Sequence, residues 1–287
     1  MGELDLSLIG KTFGPFEHEY TFKDLIIFAL GCGAGTDGIT DLDYVFEQDE
    51  RGFKILPIYG AMLAEAYEVS KAMDYGFNWD GALHWGFDIK YHKPMTKTSG
   101  KLKTICVLKD IYDRGPGKGC VGLNEATTYD AETGEKLFTN ESMDIELYDG
   151  GFGGPKLQVA AVEIPERDPD FEIEEQIPLN QALIYRLSGD FFKLHADWEY
   201  AKQCGFEKPM LHGLSASGFA CRHIIRTLFP GQPERITRFK VRMSATLYPG
   251  STIKTQIWKM GENVIHFRVV NTETGEKHLN FGLVEWK

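Results

Sequence analysis

The sequence has no arrangement of cysteine or histidine that is typical of a metal site. It contains five cysteines and no C-x-x-C pair, and its eight histidines are also scattered, whereas zinc ligands recur at short spacings. An odd number of dispersed cysteines favours free thiols in a reducing compartment. We therefore expect no bound metal. The cysteines are Cys32, Cys106, Cys120, Cys204 and Cys221.

The chain also lacks an excess of basic residues and any long apolar run. Its formal net charge is −11, so nucleic acid is not an expected partner, and a phosphorylated ligand would need a local basic patch. No apolar run is long enough to span a bilayer, and the acidic start Met1–Asp5 is unlike a signal peptide. The final Glu285-Trp286-Lys287 differs from the peroxisomal address Ser-Lys-Leu. We expect no nucleic-acid or membrane partner.

Glycine-rich segments are present, but neither has the context of a phosphate-binding loop. Residues 31–35 and 150–154 carry no G-x-x-x-x-G-K-S/T pattern and no G-x-G-x-x-G between a strand and a helix. The first segment is more typical of a helix terminator or a tight packing site. The second, together with the prolines that follow it, is typical of a linker.

One five-residue segment occurs twice. Glu132–Lys136 and Glu273–Lys277 both read Glu-Thr-Gly-Glu-Lys, and each is typical of a hairpin turn in which glycine supplies the positive φ. Each copy follows a helix candidate, at 57–67 and 212–228, and several β-rich runs. This succession predicts an α+β fold made of two similar units, each with a helix wrapped by an antiparallel sheet.

The predicted boundaries follow from this repeat. We expect an N-terminal unit over 1–155, a linker over 156–175 and a C-terminal unit over 176–287. The strand candidates are 101–112, 119–129, 141–148, 235–247, 251–259, 263–271 and 278–286.

A carboxylate and an imidazole lie five residues apart in the second half. Asp190 and His195 occupy a short connection between a helix predicted to end at Gly189 and another predicted to end at Gly205. Such a pair can hold one water, with one group orienting it and the other exchanging its proton. The alternatives are a helix cap for Asp190 and a buried structural role for His195. Asp197 is typical of a cap.

Gly213 follows His212 at the start of the apolar helix candidate. The first N–H groups of a helix have no intrahelical acceptor and can stabilise a developing anion, such as an enolate oxygen. The alternative is that Gly213 allows close packing. His212 is interpreted as a cap or a substrate contact.

The chain resembles a known family over nearly its whole length, and most specifically in its second half. The segments 185–190, 194–195, 205–206 and 208–214 are similar to the signature of the (R)-specific 2-enoyl-CoA hydratases, or hydratase 2. These include the hydratase part of peroxisomal multifunctional enzyme type 2 and belong with the MaoC-like dehydratases. The resemblance implies a double hot-dog fold and a homodimer. It also implies an N-terminal unit that accommodates the acyl chain, and it suggests peroxisomes as an alternative to the cytoplasm.

The resemblance also implies roles for individual residues. Asp190 and His195 match the catalytic pair, and Gly213 matches the backbone donor to the thioester oxygen. His84 and Arg114 fall where the family contacts CoA, and Arg114 in place of lysine keeps a positive charge for phosphate. The remaining expected substrate contacts are Trp85, Phe192, His212 and Met243.

The chain departs from the family pattern near the pair. Phe192 replaces an asparagine, Lys193 and Trp198 replace prolines, and Trp85 replaces a glycine beside His84. Loss of one positioned donor can cost about 10²–10³ in rate. The departures indicate an altered substrate or an altered direction of the reaction.

The leading hypothesis is a hydro-lyase that interconverts trans-2-enoyl-CoA and (R)-3-hydroxyacyl-CoA without a metal or redox cofactor. The first alternative is a specialised MaoC-like dehydratase or lyase of secondary metabolism, with a pocket reshaped by Phe192 and Trp85. The second is a non-catalytic acyl-CoA-binding protein on the same fold.

Overall fold

The structure is a computed structural model that describes residues 4–65, 69, 72–76, 78–158 and 162–287. Within these ranges no helix has the length and apolar character needed to cross a membrane.

The same succession of elements occurs twice along the chain. The first half contains β1 (Thr12–Tyr20), α1 (Phe22–Gly31), α2 (Tyr59–Glu65), β2 (Ala82–Tyr91), β3 (Gly100–Asp113), β4 (Cys120–Asp130) and β5 (Lys136–Glu146). The second half contains β6 (Phe171–Gln176), α3 (Gln181–Tyr185), α4 (Trp198–Gln203), α5 (Gly213–Leu228), β7 (Ile236–Met243), β8 (Thr252–Lys259), β9 (Val264–Asn271) and β10 (Lys277–Trp286).

All ten strands form one antiparallel sheet in the order β1-β3-β4-β5-β2-β7-β10-β9-β8-β6. Read from its own edge inward, each half has the same relative order. The halves join where β2 pairs with β7, from Gly86 opposite Arg242 to Lys90 opposite Arg238. Helix α5 packs on the second half and is buried continuously from Leu214 to Ile225. This confirms the predicted duplication and the double hot-dog fold.

The repeated sequence forms two matching turns. Gly134 and Gly275 both have a φ of 73°. Each glycine N–H donates to the carbonyl oxygen four residues earlier, on Asp130 and Asn271 respectively, at 2.9 Å in both cases. The hairpin interpretation of both copies is therefore confirmed.

The glycine-rich segment at 31–35 also has its predicted role. Helix α1 ends at Gly31, where a Cβ atom would lie 2.8 Å from the Cα of Tyr185. Only glycine permits this approach between α1 and α3.

All seven strand candidates form strands, although β5 begins at Lys136, earlier than predicted. Three strands were not predicted: β1, β2 and β6. Strand β6 pairs with β8 of the second unit and begins at Phe171, within the range 156–175 assigned to the linker. Its acidic, alternately exposed sequence Phe-Glu-Ile-Glu-Glu-Gln lacks a continuous apolar run. Helix α2 matches the first helix candidate, whose residues 66 and 67 lie outside the described residues.

Candidate active site

The start of helix α5 and the connection before it bring Asp190, His195 and His212 together. After α3, a 3-10 turn at Arg186–Ser188 ends at Gly189, whose φ of 130° redirects the chain. A second 3-10 turn, Lys193–His195, carries the histidine. The Asp190 Oδ2 atom lies 4.0 Å from His195 Nε2 and 3.9 Å from His212 Nε2.

The hydrogen bonds of His195 determine which nitrogen can accept a proton. Its Nδ1 lies 3.0 Å from the Met210 carbonyl oxygen, which can only accept, so Nδ1–H is the donor. In the neutral ring Nε2 then keeps a lone pair on the side of Asp190. Burial lowers the pKa of His195, although the charge of Asp190 opposes this shift. A neutral imidazole therefore faces the carboxylate across a gap that one water can bridge.

Asp190 is not a helix cap. Its Oδ1 accepts the Phe192 N–H at 3.1 Å, which leaves Oδ2 toward the two histidines. Asp197, by contrast, is the N-cap of α4 and accepts the N–H groups of Glu199 and Tyr200 at 3.0 and 3.1 Å. Asp197 therefore has the capping role that the sequence predicted for it, whereas Asp190 does not act as a cap.

His212 is buried and stacks on His195. Its side chain is 1% exposed, and the two ring centroids lie 3.6 Å apart with 24° between their planes. Neither ring nitrogen has a hydrogen-bond partner among the residues that the structure describes. Burial, with the neighbouring His195, holds the pKa of His212 well below its ordinary value. His212 therefore presents a neutral, polar ring to the pair of Asp190 and His195.

One ligand atom from each of Asp190, His195 and His212 lies within 4.8 Å of the other two, which is close enough to consider a metal ion. The near-parallel stack argues against shared coordination, because two stacked rings direct their lone pairs side by side. Convergence on one ion would require the rings to turn apart. Absence of a metal from the reaction stays a prediction.

Gly213 is the first residue of α5, and His212 makes no side-chain capping bond there. The N–H groups of the first turn therefore remain available to an anion. A Cβ atom on Gly213 would lie 2.8 Å from Cγ of Met243. Both predicted roles, close packing and an exposed helix start, are thus compatible at this position.

A cavity of about 860 Å³ is lined by residues of both units, and nearly all predicted site residues belong to this lining. From the second unit it is lined by Asp190, Phe192, His195, His212, Gly213 and Met243. From the first unit it is lined by His84 and Trp85. Arg114 does not line it and lies exposed on the turn after β3. The assignment of Arg114 to CoA stays a prediction.

The replaced residues shape the wall of this cavity. The register of β2 against β5 shifts between His84 and Gly86, and such a bulge redirects the intervening side chain, here Trp85. The Arg242 guanidinium lies over the Trp85 ring at 4.3 Å. The Phe192 ring meets His195 edge-on, with centroids 6.3 Å apart. Aromatic surface thus adjoins the acid/base pair where the family pattern has a polar residue.

Sequence reasoning missed the polar residues that two strands of the first unit contribute to the cavity lining: Asn124, Ser142 and Asp144. They lie on β4 and β5, both predicted as strands. Alternation along a strand separates two faces but does not show which polar residues turn inward.

Fold and site together define a double hot-dog protein whose second unit carries an Asp/His pair beside an open helix N-terminus. Comparisons with known proteins agree. Residues 18–145 match the MFE-2 hydratase 2 N-terminal domain, and residues 160–280 match the MaoC like domain.

Proteins of known name are similar to this chain over nearly its whole length. The 3-hydroxyacyl-thioester dehydratase Y of Mycobacterium tuberculosis is 33% identical over 99% of this chain and 98% of its own length. Peroxisomal multifunctional enzyme type 2 of Mus musculus is 36% identical over 93% of this chain, which spans only 36% of that enzyme. The crystal structure of a MaoC-like dehydratase from Phytophthora capsici is similar with a TM-score of 0.87 and 28% identity, over 99% and 98% of the two chains. The chain belongs to the MaoC-like dehydratase family, in its hydratase 2 branch.

Proposed function

We propose that this chain is a hydro-lyase that interconverts trans-2-enoyl-CoA and (R)-3-hydroxyacyl-CoA. The observation that carries the proposal is the 4.0 Å separation of Asp190 Oδ2 and His195 Nε2, beside a helix start that opens on the same cavity. A water placed between these atoms can donate one hydrogen bond to each of them. The names of the relatives support the substrate class.

The geometry supports the following chemistry. His195 Nε2 accepts a proton from the water while the water oxygen bonds to C3 of the enoyl group. Electrons move from the double bond toward the thioester oxygen, where the N–H of Gly213 can donate to the developing enolate. Asp190 orients the water and stabilises the imidazolium, which then gives its proton to C2. Dehydration follows the same steps in reverse.

The units have different roles in this proposal. The second unit supplies the chemistry, whereas the first unit contributes cavity wall from β2, β4 and β5 and accommodates the acyl chain. We further propose a homodimer, with residence in the cytoplasm or in peroxisomes, and no metal or redox cofactor.

The test follows the absorbance of the enoyl thioester during turnover. We expect Asp190→Asn and His195→Gln each to lower kcat by about 10²–10⁴, because each removes one partner of the water. His92→Gln, on an exposed histidine outside the cavity, is the matched control and should keep full activity. A chelator should leave the rate unchanged.

Two results would contradict the proposal. Wild-type protein that binds acyl-CoA esters but turns over none of them would favour a binding role. Activity that survives in both variants would place the chemistry elsewhere.

A further inference from the structure

The part of the cavity inside the first unit is not uniformly apolar. Its apolar wall comes from Val69, Met73, Leu83, Cys106, Ala126 and Ile145. Asn124, Ser142 and Asp144 interrupt this wall. A hydrocarbon chain has no need of such residues, and a carboxylate covered by hydrocarbon loses its hydration.

These polar residues form a connected cluster. Asn124 on β4 lies directly opposite Ser142 on β5, and Asp144 is two residues further along the same strand. The Asn124 Nδ2 donates to Asp144 Oδ2 at 3.2 Å. Because a carboxylate only accepts, the amide must turn its NH₂ group to Asp144. Asn124 Oδ1 is left buried and has no hydrogen-bond partner within the described part of the chain.

The cluster is close to the reacting end of the cavity. His84 on β2 is paired with Asp144 on β5. Burial lowers the pKa of His84, and the charges of Asp144 and Asp190 both oppose this shift, so His84 is within electrostatic range of both carboxylates. Asn124, Asp144 and Asp190 line the same cavity, so one ligand can reach both the cluster and the reacting pair.

The fold itself does not require polar residues here. In the second unit the position on β9 that corresponds to Asn124, counted from the repeated turn, is Ile265, which lies opposite Val284 on β10, and both are fully buried. The first unit differs because its interior remains open to the cavity.

We infer that the acyl part of the substrate carries a hydroxyl group that donates a hydrogen bond to the cluster of Asn124 and Asp144. The inference rests on the proposed hydro-lyase function and specifies its substrate class. A donor is needed because the unsatisfied atom, Asn124 Oδ1, and the carboxylate oxygens of Asp144 are all acceptors. Hydrogen bonds to buried acceptors also provide strong discrimination against analogues that lack the donor.

The experiment compares trans-2-enoyl-CoA substrates with plain alkyl chains against matched chains that carry one hydroxyl at successive positions. We expect the best-placed hydroxyl to raise kcat/KM by about tenfold to a hundredfold. Asn124→Leu should abolish this preference, and it should raise kcat/KM for the alkyl series. Asn140→Leu is the matched control, because Asn140 is a buried asparagine on β5 that does not line the cavity.

Saturated acyl-CoA esters, with and without the hydroxyl, separate this inference from the proposed reaction. Their binding by calorimetry requires no turnover, so a hydroxyl preference there supports the inference even in an inactive protein. Equal binding and equal turnover of the alkyl and hydroxyl series by wild-type protein would overturn it. An equal loss for every CoA thioester in Asn124→Leu would also overturn it, because the cluster would then contact the pantetheine arm.

Discussion

The two units share one topology and begin their central helices in similar ways, yet only one of these helix starts is open. In the first unit Gly60 packs against Phe138, and the neighbouring Tyr59 is buried, with its hydroxyl 3.0 Å from His18 Nε2. In the second unit Gly213 packs against Met243, while the neighbouring His212 lines the cavity. Close glycine packing is therefore a property of the fold, and access to the helix start distinguishes the unit that carries Asp190 and His195.

The interiors of the two units also differ, but here the first unit is the more open one. The second unit is filled around α5 by large side chains such as Phe239 and Phe267, both fully buried. The first unit has Ala126 and Ser142 on its inward faces, and the cavity extends there. The second unit thus combines the Asp190–His195 pair with a packed core, whereas the first unit has the more open interior. The segment between α1 and α2, residues 32–58, contains no histidine.

Among the substitutions that compare the two units, those at the helix starts have the largest expected effect. Gly213→Ala should lower kcat by about 10², because its methyl group would meet Met243 and displace the helix start by enough to misalign the reacting groups. Gly60→Ala meets Phe138 at 2.9 Å and should cost about 1–3 kcal/mol of stability with little change in kcat. Enzyme kinetics and thermal unfolding of both variants provide the measurements.

A second substitution tests the cause of this loss. Adding Met243→Ala to Gly213→Ala removes the side chain that the new methyl group would strike. Partial recovery of kcat is expected if displacement is the cause. Equal loss of activity in Gly60→Ala and Gly213→Ala would remove the distinction between the two helix starts.

An intermediate effect is expected from filling the first unit. Ala126→Phe gives β4 a large inward side chain, as Phe267 gives β9. It should lower kcat/KM for long acyl chains by about tenfold to a hundredfold and leave the shortest enoyl substrate nearly unchanged, because only the distal part of the cavity is filled. A chain-length series measures the ratio. A uniform loss across the series would instead indicate that the strand was distorted.

Local sequence was sufficient to predict that Asp190, His195 and Gly213 lie close together. Asp190, His195 and Gly213 lie within 24 residues, and glycine positions fix the turns between them. The repeated turn and the seven strand candidates were also sufficient to predict the duplicated fold. The sheet edges were not predicted, because β1 and β6 are edge strands whose polar residues meet solvent. Strand β2 was missed since Gly86, where a Cβ atom would lie 2.7 Å from the Val241 carbonyl oxygen, interrupts its apolar pattern at the seam.

The first unit's part of the site could not be predicted because it depends on long-range packing. Whether Asn124 and Asp144 face solvent or the cavity is decided by the order of the strands and by what covers them. The sequence carries the same alternation in either case.

The smallest expected effect near neutral pH also compares the two units, since each has a partly buried histidine with a lowered pKa. Burial lowers the pKa of both His195 and His18. His195 must be neutral to accept the proton from water, so kcat/KM should be nearly constant around pH 7 and should fall tenfold per pH unit only below the lowered pKa, which lies under the ordinary 6.5. His18→Gln should leave this profile in place, because His18 bonds Tyr59 and does not line the cavity. An acid limb that starts above 6.5, or one that moves in His18→Gln, would mean that another group controls the rate and that the two units are not functionally separate.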